Sequence, residues 1–244
     1  MSGLLTVCKR EWSAYFSTPV AYVFVLIFLM MSAALTFYLG NFYDRGQADL
    51  QPFFNFHPWL YLFFMPAIAM GLWSQERQLG TIELLLTLPL TQAQVVSGKF
   101  LAAWLFAALA LVLTFPLWLT VNYLGDPDNG VILTSYLGSW LMAGAFIAVG
   151  CCMSALSRNQ IVAFILTVLI CFVLMLSGFP MVLDMFRAWG SDRVVDFVAG
   201  LSFITHFQAL SRGVVDLRDV LYFLLLITVW LFATGEVLSI KKAR

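Results

Sequence analysis

Two histidines, His57 and His206, and four cysteines, Cys8, Cys151, Cys152 and Cys171, are the side chains in this 244-residue sequence best suited to metal binding or redox chemistry. Neither histidine has a second ligand at metal spacing, and the cysteines form no CxxC or Cys/His pattern, so no metal site is expected. His206 reads as a structural residue and the thiols as free and packed. Met175, Met181 and Met185 make no MxxM cluster and read as packing rather than as a copper path. The sequence has no GxSxG, no HExxH and no GxxxxGK[ST]; the pair Gly98-Lys99 is followed by Phe100 and lacks the upstream glycine. No catalytic residue is therefore expected, and ATP has no P-loop to bind on this chain. Energy for any active process has to come from another polypeptide.

The polar residues with the most regular spacing lie in the stretch Glu76-Arg77-Gln78-Leu79-Gly80-Thr81-Ile82-Glu83-Leu84-Leu85-Leu86-Thr87-Leu88-Pro89. From Gly80 the chain can form a short helix, with Ile82, Leu85 and Leu86 on one side and Glu83 and Thr87 on another. Pro89 stops it, and Thr91 with Gln94 forms a capping box that starts the next helix. A short stiff element held between two longer ones can receive a push from a soluble partner. The plainer reading is a helix that only anchors its loop.

Composition fixes what surrounds this stretch. Hydrophobic residues make up 62% of the chain and charged residues 11%, against about 25% charged in soluble domains. Six runs are long enough to cross a bilayer: 19–40, 54–74, 98–124, 131–156, 161–183 and 219–240. The second holds Pro58 and Pro66, is broken at its outer end by Asn55 and His57, and reads as a kinked helix. Six crossings put both termini on one side. That side collects Lys9, Arg10, Arg77, Lys99, Arg158, Lys241, Lys242 and Arg244, while Arg45, Arg187, Arg193, Arg212 and Arg218 fall opposite, which makes the termini cytoplasmic. All nine aspartates fall outside. Span centres hold essentially no charge, which argues against a proton-coupled carrier; Glu236 sits about one turn from the cytoplasmic end. With a net charge of zero, no nucleic-acid partner is expected.

Residues 1–18 read as an amphipathic helix in the cytoplasmic interface, contacting membrane lipids. Leu4, Leu5, Cys8, Trp12, Tyr15 and Phe16 share one face, and Lys9 and Arg10 lie off it. The remainder, 19–244, is one six-span domain. Its two long connections are 75–97 inside and 184–218 outside, and function is expected there.

Glu76-Arg-x-x-Gly80-Thr81-x-Glu83-x-Leu85, followed by Pro89 and Gly98-Lys99, resembles the signature of type-2 ABC exporter permeases. In that family the segment docks into a groove of the ATPase. The resemblance therefore implies ATPase-coupling roles for Glu76, Arg77, Gly80, Thr81, Glu83, Leu85 and Pro89, with Lys9, Arg10 and Glu11 beside them. The stretches Lys9-Arg10-Glu11…Tyr15-Phe16-x-x-Pro19-x-Ala21-Tyr22 and His206-Phe207-x-x-Leu210-Ser211-Arg212-Gly213-Val214-Val215-Asp216 are similar to the gliding-motility (GldF-like) subfamily. That name does not fix the cargo.

The resemblance implies an all-α integral membrane protein with six transmembrane helices, an interfacial helix, a cytoplasmic coupling helix and an external re-entrant segment before the last span. Phe179–Trp189 and Val194–Phe203 read as the two helices of that segment, with Phe179, Met185, His206, Phe207, Arg212 and Asp216 as its gate residues. The expected assembly is two permease halves, identical or related, with two cytoplasmic ABC ATPase subunits that bind ATP and Mg, in the inner (plasma) membrane. A membrane anchor or mechanotransmitter that relays ATPase work without moving cargo would have the same architecture. A channel or secondary transporter would lack the ATPase.

Overall fold

Inside a bilayer an apolar run must satisfy its own backbone hydrogen bonds, which a helix does within one segment. The structure, a computed structural model that describes residues 2–82, 90–187 and 191–242, is helical throughout, with no strand among the described residues. Its helices are α1 (Ser2–Phe16), α2 (Pro19–Ala34, ending in a π turn at Leu35–Leu39), α3 (Gln51–Ala69), α4 (Gly71–Leu79), α5 (Gln92–Val112), α6 (Phe115–Leu124), α7 (Asn129–Leu156), α8 (Gln160–Leu176), α9 (Pro180–Arg187), α10 (Asp192–Ala199), α11 (Phe203–Ser211) and α12 (Leu217–Lys242).

Four of these segments are long and apolar enough to cross a membrane unaided: Pro19–Leu39, Gln92–Leu124, Asn129–Leu156 and Leu217–Ile240. Two bent pairs reach that length and apolarity only together: α8 with α9, which meet at 70°, and α10 with α11, at 67°. The expected second crossing, 54–74, falls on α3 and α4 and is not among these. Its polar groups explain this, and packing makes them tolerable: His57, Tyr61 and Ser74 are fully buried against the rest of the bundle. The helix runs unbroken past Pro58 and Pro66 and stops at Met70, four residues after the second proline.

α7 is the centre of the bundle and packs on α3, α4, α5, α8, α11 and α12. Small residues let its neighbours approach. A Cβ at Gly150 would stand 2.5 Å from Ala69 Cβ, and one at Gly144 would stand 2.7 Å from Trp104 Nε1. Contacts along α7 give each neighbour's direction. α3 and α4 run parallel to it, from His57 at Ser139 to Ser74 at Ser154. α5 runs antiparallel, from Lys99 beside Trp73 to Thr114 at Tyr136. The start of α5 is tied to the end of α12 by the Gln92 side-chain amide, which donates to the Gly235 carbonyl.

α1 runs beside α5 in the same direction. Val7 meets Gly98, where an added Cβ would lie 2.9 Å from the Val7 side chain, and the Tyr15 ring stacks on Phe106 at 4.9 Å. The packed face keeps Trp12, Tyr15 and Phe16 of the one read in the sequence but takes in Val7 instead of Leu5: Val7 is 5% exposed and Leu5 is 65% exposed. Gly98 opens the space for Val7, and Lys99 draws Glu11 inward.

At the opposite end, the expected two helices of the external segment are three. The break comes at Gly200–Ser202 because Ser202 caps a new helix, its hydroxyl accepting from Ile204 N (3.2 Å) and Thr205 N (3.5 Å). α11 then packs back along α7, with Phe203 stacked on Phe146 at 4.6 Å and Leu210 against Gly138.

Candidate functional site

The side chains with the greatest electrostatic consequence gather where α1, α4, α5 and the end of α7 meet. Lys99 enters from the second turn of α5 and is 2% exposed, a burial that a lysine sustains only when paired. Its Nζ lies 3.1 Å from Glu11 Oε1 on α1 and 3.2 Å from Glu76 Oε1 on α4, and 5.5 Å from the centre of the Trp73 ring. Arg10 closes the group, 2.6 Å from Glu11 Oε1 and 3.8 Å from Glu76 Oε1. Two cations and two carboxylates from three helices balance to zero.

The local sequence holds Glu76 in place. Gly80 ends α4 in the left-handed region (φ +72°), a conformation that favours glycine, and this turns Thr81 back over the helix. Thr81 N donates to the Glu76 carbonyl (3.0 Å), and its hydroxyl donates to Glu76 Oε2. One carboxylate oxygen thus faces Thr81 and the other faces Lys99 and Arg10. Burial pushes the Glu76 carboxyl up, but the Thr81 hydroxyl, Lys99 and Arg10 outweigh it and hold the group below the usual carboxylate range.

Arg77 points the other way. Its Nη1 donates to the Ala155 carbonyl at 2.7 Å, placing a cation on the last turn of α7, where the helix dipole is negative. Ser154, beside it, inserts its hydroxyl into the break between α3 and α4. It accepts from Trp73 N and Ser74 N, both at 3.0 Å, and donates to the Met70 carbonyl at 2.7 Å. Trp73 Nε1 donates to Cys151 Sγ at 3.2 Å. α4 is therefore fastened to α7 on one side and to α1 and α5 on the other. Its tip, Gln78, Leu79 and Gly80, is exposed.

The spacing Glu76-Arg77-x-x-Gly80-Thr81 thus has a physical reason for each residue. Arg10 and Glu11 belong to the same network, whereas Lys9 is exposed on the outer side of α1. Glu83, Leu85 and Pro89, also expected here, lie outside the described residues. The capping box expected at Thr91 and Gln94 is present, with Thr91 Oγ1 accepting from Gln94 N and Gln94 Oε1 accepting from Thr91 N. The sequence gives no role to Trp73 or Ser154, and it offers Lys99 only as the end of the motif that closes with Gly98-Lys99, without a partner. A lone lysine at the start of the apolar run 98–124 needs a carboxylate partner once buried, and the sequence does not say which one. Nothing in the sequence marks Ser154.

At the other end the six expected gate residues do not converge. Phe179 and Phe207 line one small cavity of about 270 Å³, with Asn55 and Trp59. His206 is buried and fully engaged: Nδ1 lies 2.6 Å from Asp219 Oδ1, Nε2 lies 3.0 Å from the Gly200 carbonyl, and the ring stacks on Tyr222 at 3.9 Å. It pins the α10–α11 turn to α12. Asp216 caps α12, accepting from Arg218 N at 3.0 Å, and Met185 and Arg212 are exposed. His57, expected at the outer rim, is wholly buried among Phe28, Phe53 and Phe54, with Nδ1 3.1 Å from Ser139 Oγ. Among the described residues no group of three His, Cys, Asp or Glu could hold a metal ion.

Residues 5–238 match the family model described as ABC-2 family transporter protein. No curated protein matches the chain.

Proposed function

From the premise that this chain belongs to the ABC-2 transporter family, and is thus the membrane component of an ABC transporter, we propose that it is the permease subunit of an exporter driven through the end of the bundle that carries the charge network. In this reading the network end is cytoplasmic, both termini lie there, and the six-span chain resides in the inner (plasma) membrane. Two ABC ATPase subunits, which hold ATP and Mg, dock against the tip of α4 and the segment that continues through Glu83, Leu85 and Pro89. Two permease halves, identical or related, pair through their spans. In the same reading the chain is of the gliding-motility (GldF-like) kind, supported by the stretches around Lys9–Tyr22 and His206–Asp216, and that name specifies no cargo.

The observation that carries the proposal is the four-charge network. A force applied at an exposed helix tip moves a bundle only if the tip is stiffly fastened, and α4 is fastened on both sides. Glu76 and Lys99 join it to α1 and α5, and Arg77 and Ser154 join it to α7, the helix on which most of the others pack. Closure of the ATPases would then shift α1, α4, α5 and α7 as one block. The external hairpin pinned by His206 would follow through α7 and α12. Membership of a transporter family favours this reading over an anchor that moves no cargo.

The test is co-purification in mild detergent. The intact chain should bring an ABC ATPase with it, and a chain lacking residues 80–87 should insert normally but lose that partner. Retention of the ATPase at the intact level by the shortened chain would refute the proposal.

A further inference from the structure

A cavity of about 560 Å³ opens at the network end between the α1–α2 turn, the α3–α4 break and the first turn of α8. Its lining is graded. Gln75, next to Glu76 on α4, and Gln160, the first residue of α8 and two after Arg158, line its polar side. Ala21, Phe24, Ile68 and Phe106 form its interior, and Phe106 lies seven residues, two helical turns, deeper than Lys99. Glu11 also borders it, but its Oε1 is committed to Lys99 and Arg10. Ala14 and Ser17 belong both to this cavity and to an open groove on the outer side of α1 that carries Lys9, Arg10 and Ser13. Lys9 is exposed, and among the described residues no ion pair or hydrogen bond engages it.

We propose that this composite site binds one anionic phospholipid of the adjoining leaflet. Its phosphate sits on Lys9 and Ser13 of α1, its ester carbonyls accept from the Gln75 and Gln160 amides, and one acyl chain fills the space between Ala21, Phe24, Ile68 and Phe106. Each part of the match is chemical: a cation without a partner for the phosphate, amide donors at ester depth, and an apolar interior of a size that takes a ligand. Met70, Gly71 and Leu72 line the cavity, so the chain would rest against the break that Ser154 fastens. Occupancy would thus stiffen the junction of α4 with the bundle. The site stands on its own geometry and does not need an ATPase.

The test uses the full chain in vesicles of phosphatidylcholine doped with a phosphatidylglycerol probe that carries a photoreactive group on its acyl chain. Labelled peptides should map to residues around Phe24, Ile68 and Phe106. Lys9→Gln should reduce this labelling about five-fold, the worth of one cation near an anionic headgroup. Gly71→Leu should abolish it by filling the cavity. A Cβ at Gly71 meets nothing nearer than 3.6 Å, so this variant keeps the fold, and labelling on the outer faces of α2 and α12 serves as its control. The proposal is overturned by either of two results: a phosphatidylcholine probe that labels the cavity as strongly, or cavity labelling that both variants leave unchanged.

Discussion

Lys99→Met removes the buried one of the two cations that lie beside both carboxylates, while keeping the length and apolar stem of the side chain. Glu11 Oε1 and Glu76 Oε1 each lie within 3.2 Å of Nζ, so without it they face one another across at most about 6 Å, where like charges repel by about 3 kcal/mol or more at an effective dielectric of about 20. Removing one partner of a buried pair costs about 3–5 kcal/mol. Two features reduce that figure here: the carboxylates are 15% and 21% exposed, and Arg10 is already 2.6 Å from one of them and 3.8 Å from the other. The expected loss is about 3 kcal/mol, or a fall in Tm of about 6–12 °C for a chain of this size. Trp73, whose ring lies under Nζ, reports the event by fluorescence during thermal unfolding in detergent. The double variant Glu11→Gln, Lys99→Met leaves Glu76 with Arg10 and Thr81 and restores charge balance, so it should recover part of the loss, about 1–2 kcal/mol. A Tm for Lys99→Met within 1 °C of the unaltered chain, or a double variant less stable than the single one, would refute the assignment of Lys99 as the centre of the network.

Glu76 gives a pH prediction with a definite sign. Its folded-state carboxyl is depressed, so its contribution is complete above the unfolded-state value near pH 4.3 and is lost as pH falls through the lower folded value. Tm measured downward from pH 5 should therefore fall less steeply in Glu76→Gln than in the unaltered chain, and equal slopes would contradict the network. Ser154→Ala removes the side-chain acceptor that Trp73 N and Ser74 N share and should cost about 1–3 kcal/mol, read by the same unfolding assay; Ser154→Thr, which retains a hydroxyl, should cost less. Gly150→Val would press on Ala69 and should destabilise by about 1–3 kcal/mol, whereas Gly71→Ala, whose Cβ would meet nothing nearer than Gln75 Oε1 at 3.6 Å, should be neutral or stabilising. His206→Ala leaves Asp219 buried without its partner; hydrogen exchange in α11 should accelerate at least ten-fold, and unchanged protection would show that the pin is idle.

The helices were legible because a bilayer leaves few options for long apolar runs, and the capping box at Thr91 and Gln94 needs only two residues at the right spacing. The motif Glu76-Arg77-x-x-Gly80-Thr81 was legible as a pattern but not in its partners. Those partners lie on other helices, Lys99 on α5 and Ala155 on α7, and a contact between distant segments leaves no periodic trace in one sequence. The same reason explains the rim positions expected for both histidines. Polar side chains near the end of an apolar run suggest solvent, and only the fold supplies the Ser139 and Asp219 that allow His57 and His206 to be buried. For α1 the apolar residues set an amphipathic pattern, but Gly98 and Lys99 decided which face turned inward. The shift from Leu5 to Val7 followed from them.

The most direct test places a photoreactive amino acid at Gln78, on the exposed tip of α4, and in parallel at Tyr123, 89% exposed at the opposite end of the bundle, in the complex with its ATPase. Position 78 should cross-link to the ATPase, more strongly or more weakly when nucleotide is added, and position 123 should not cross-link to it at all. ATPase adducts at 123, or none at 78 in a complex that hydrolyses ATP, would mean that work enters this protein somewhere other than the end held by Glu76 and Lys99.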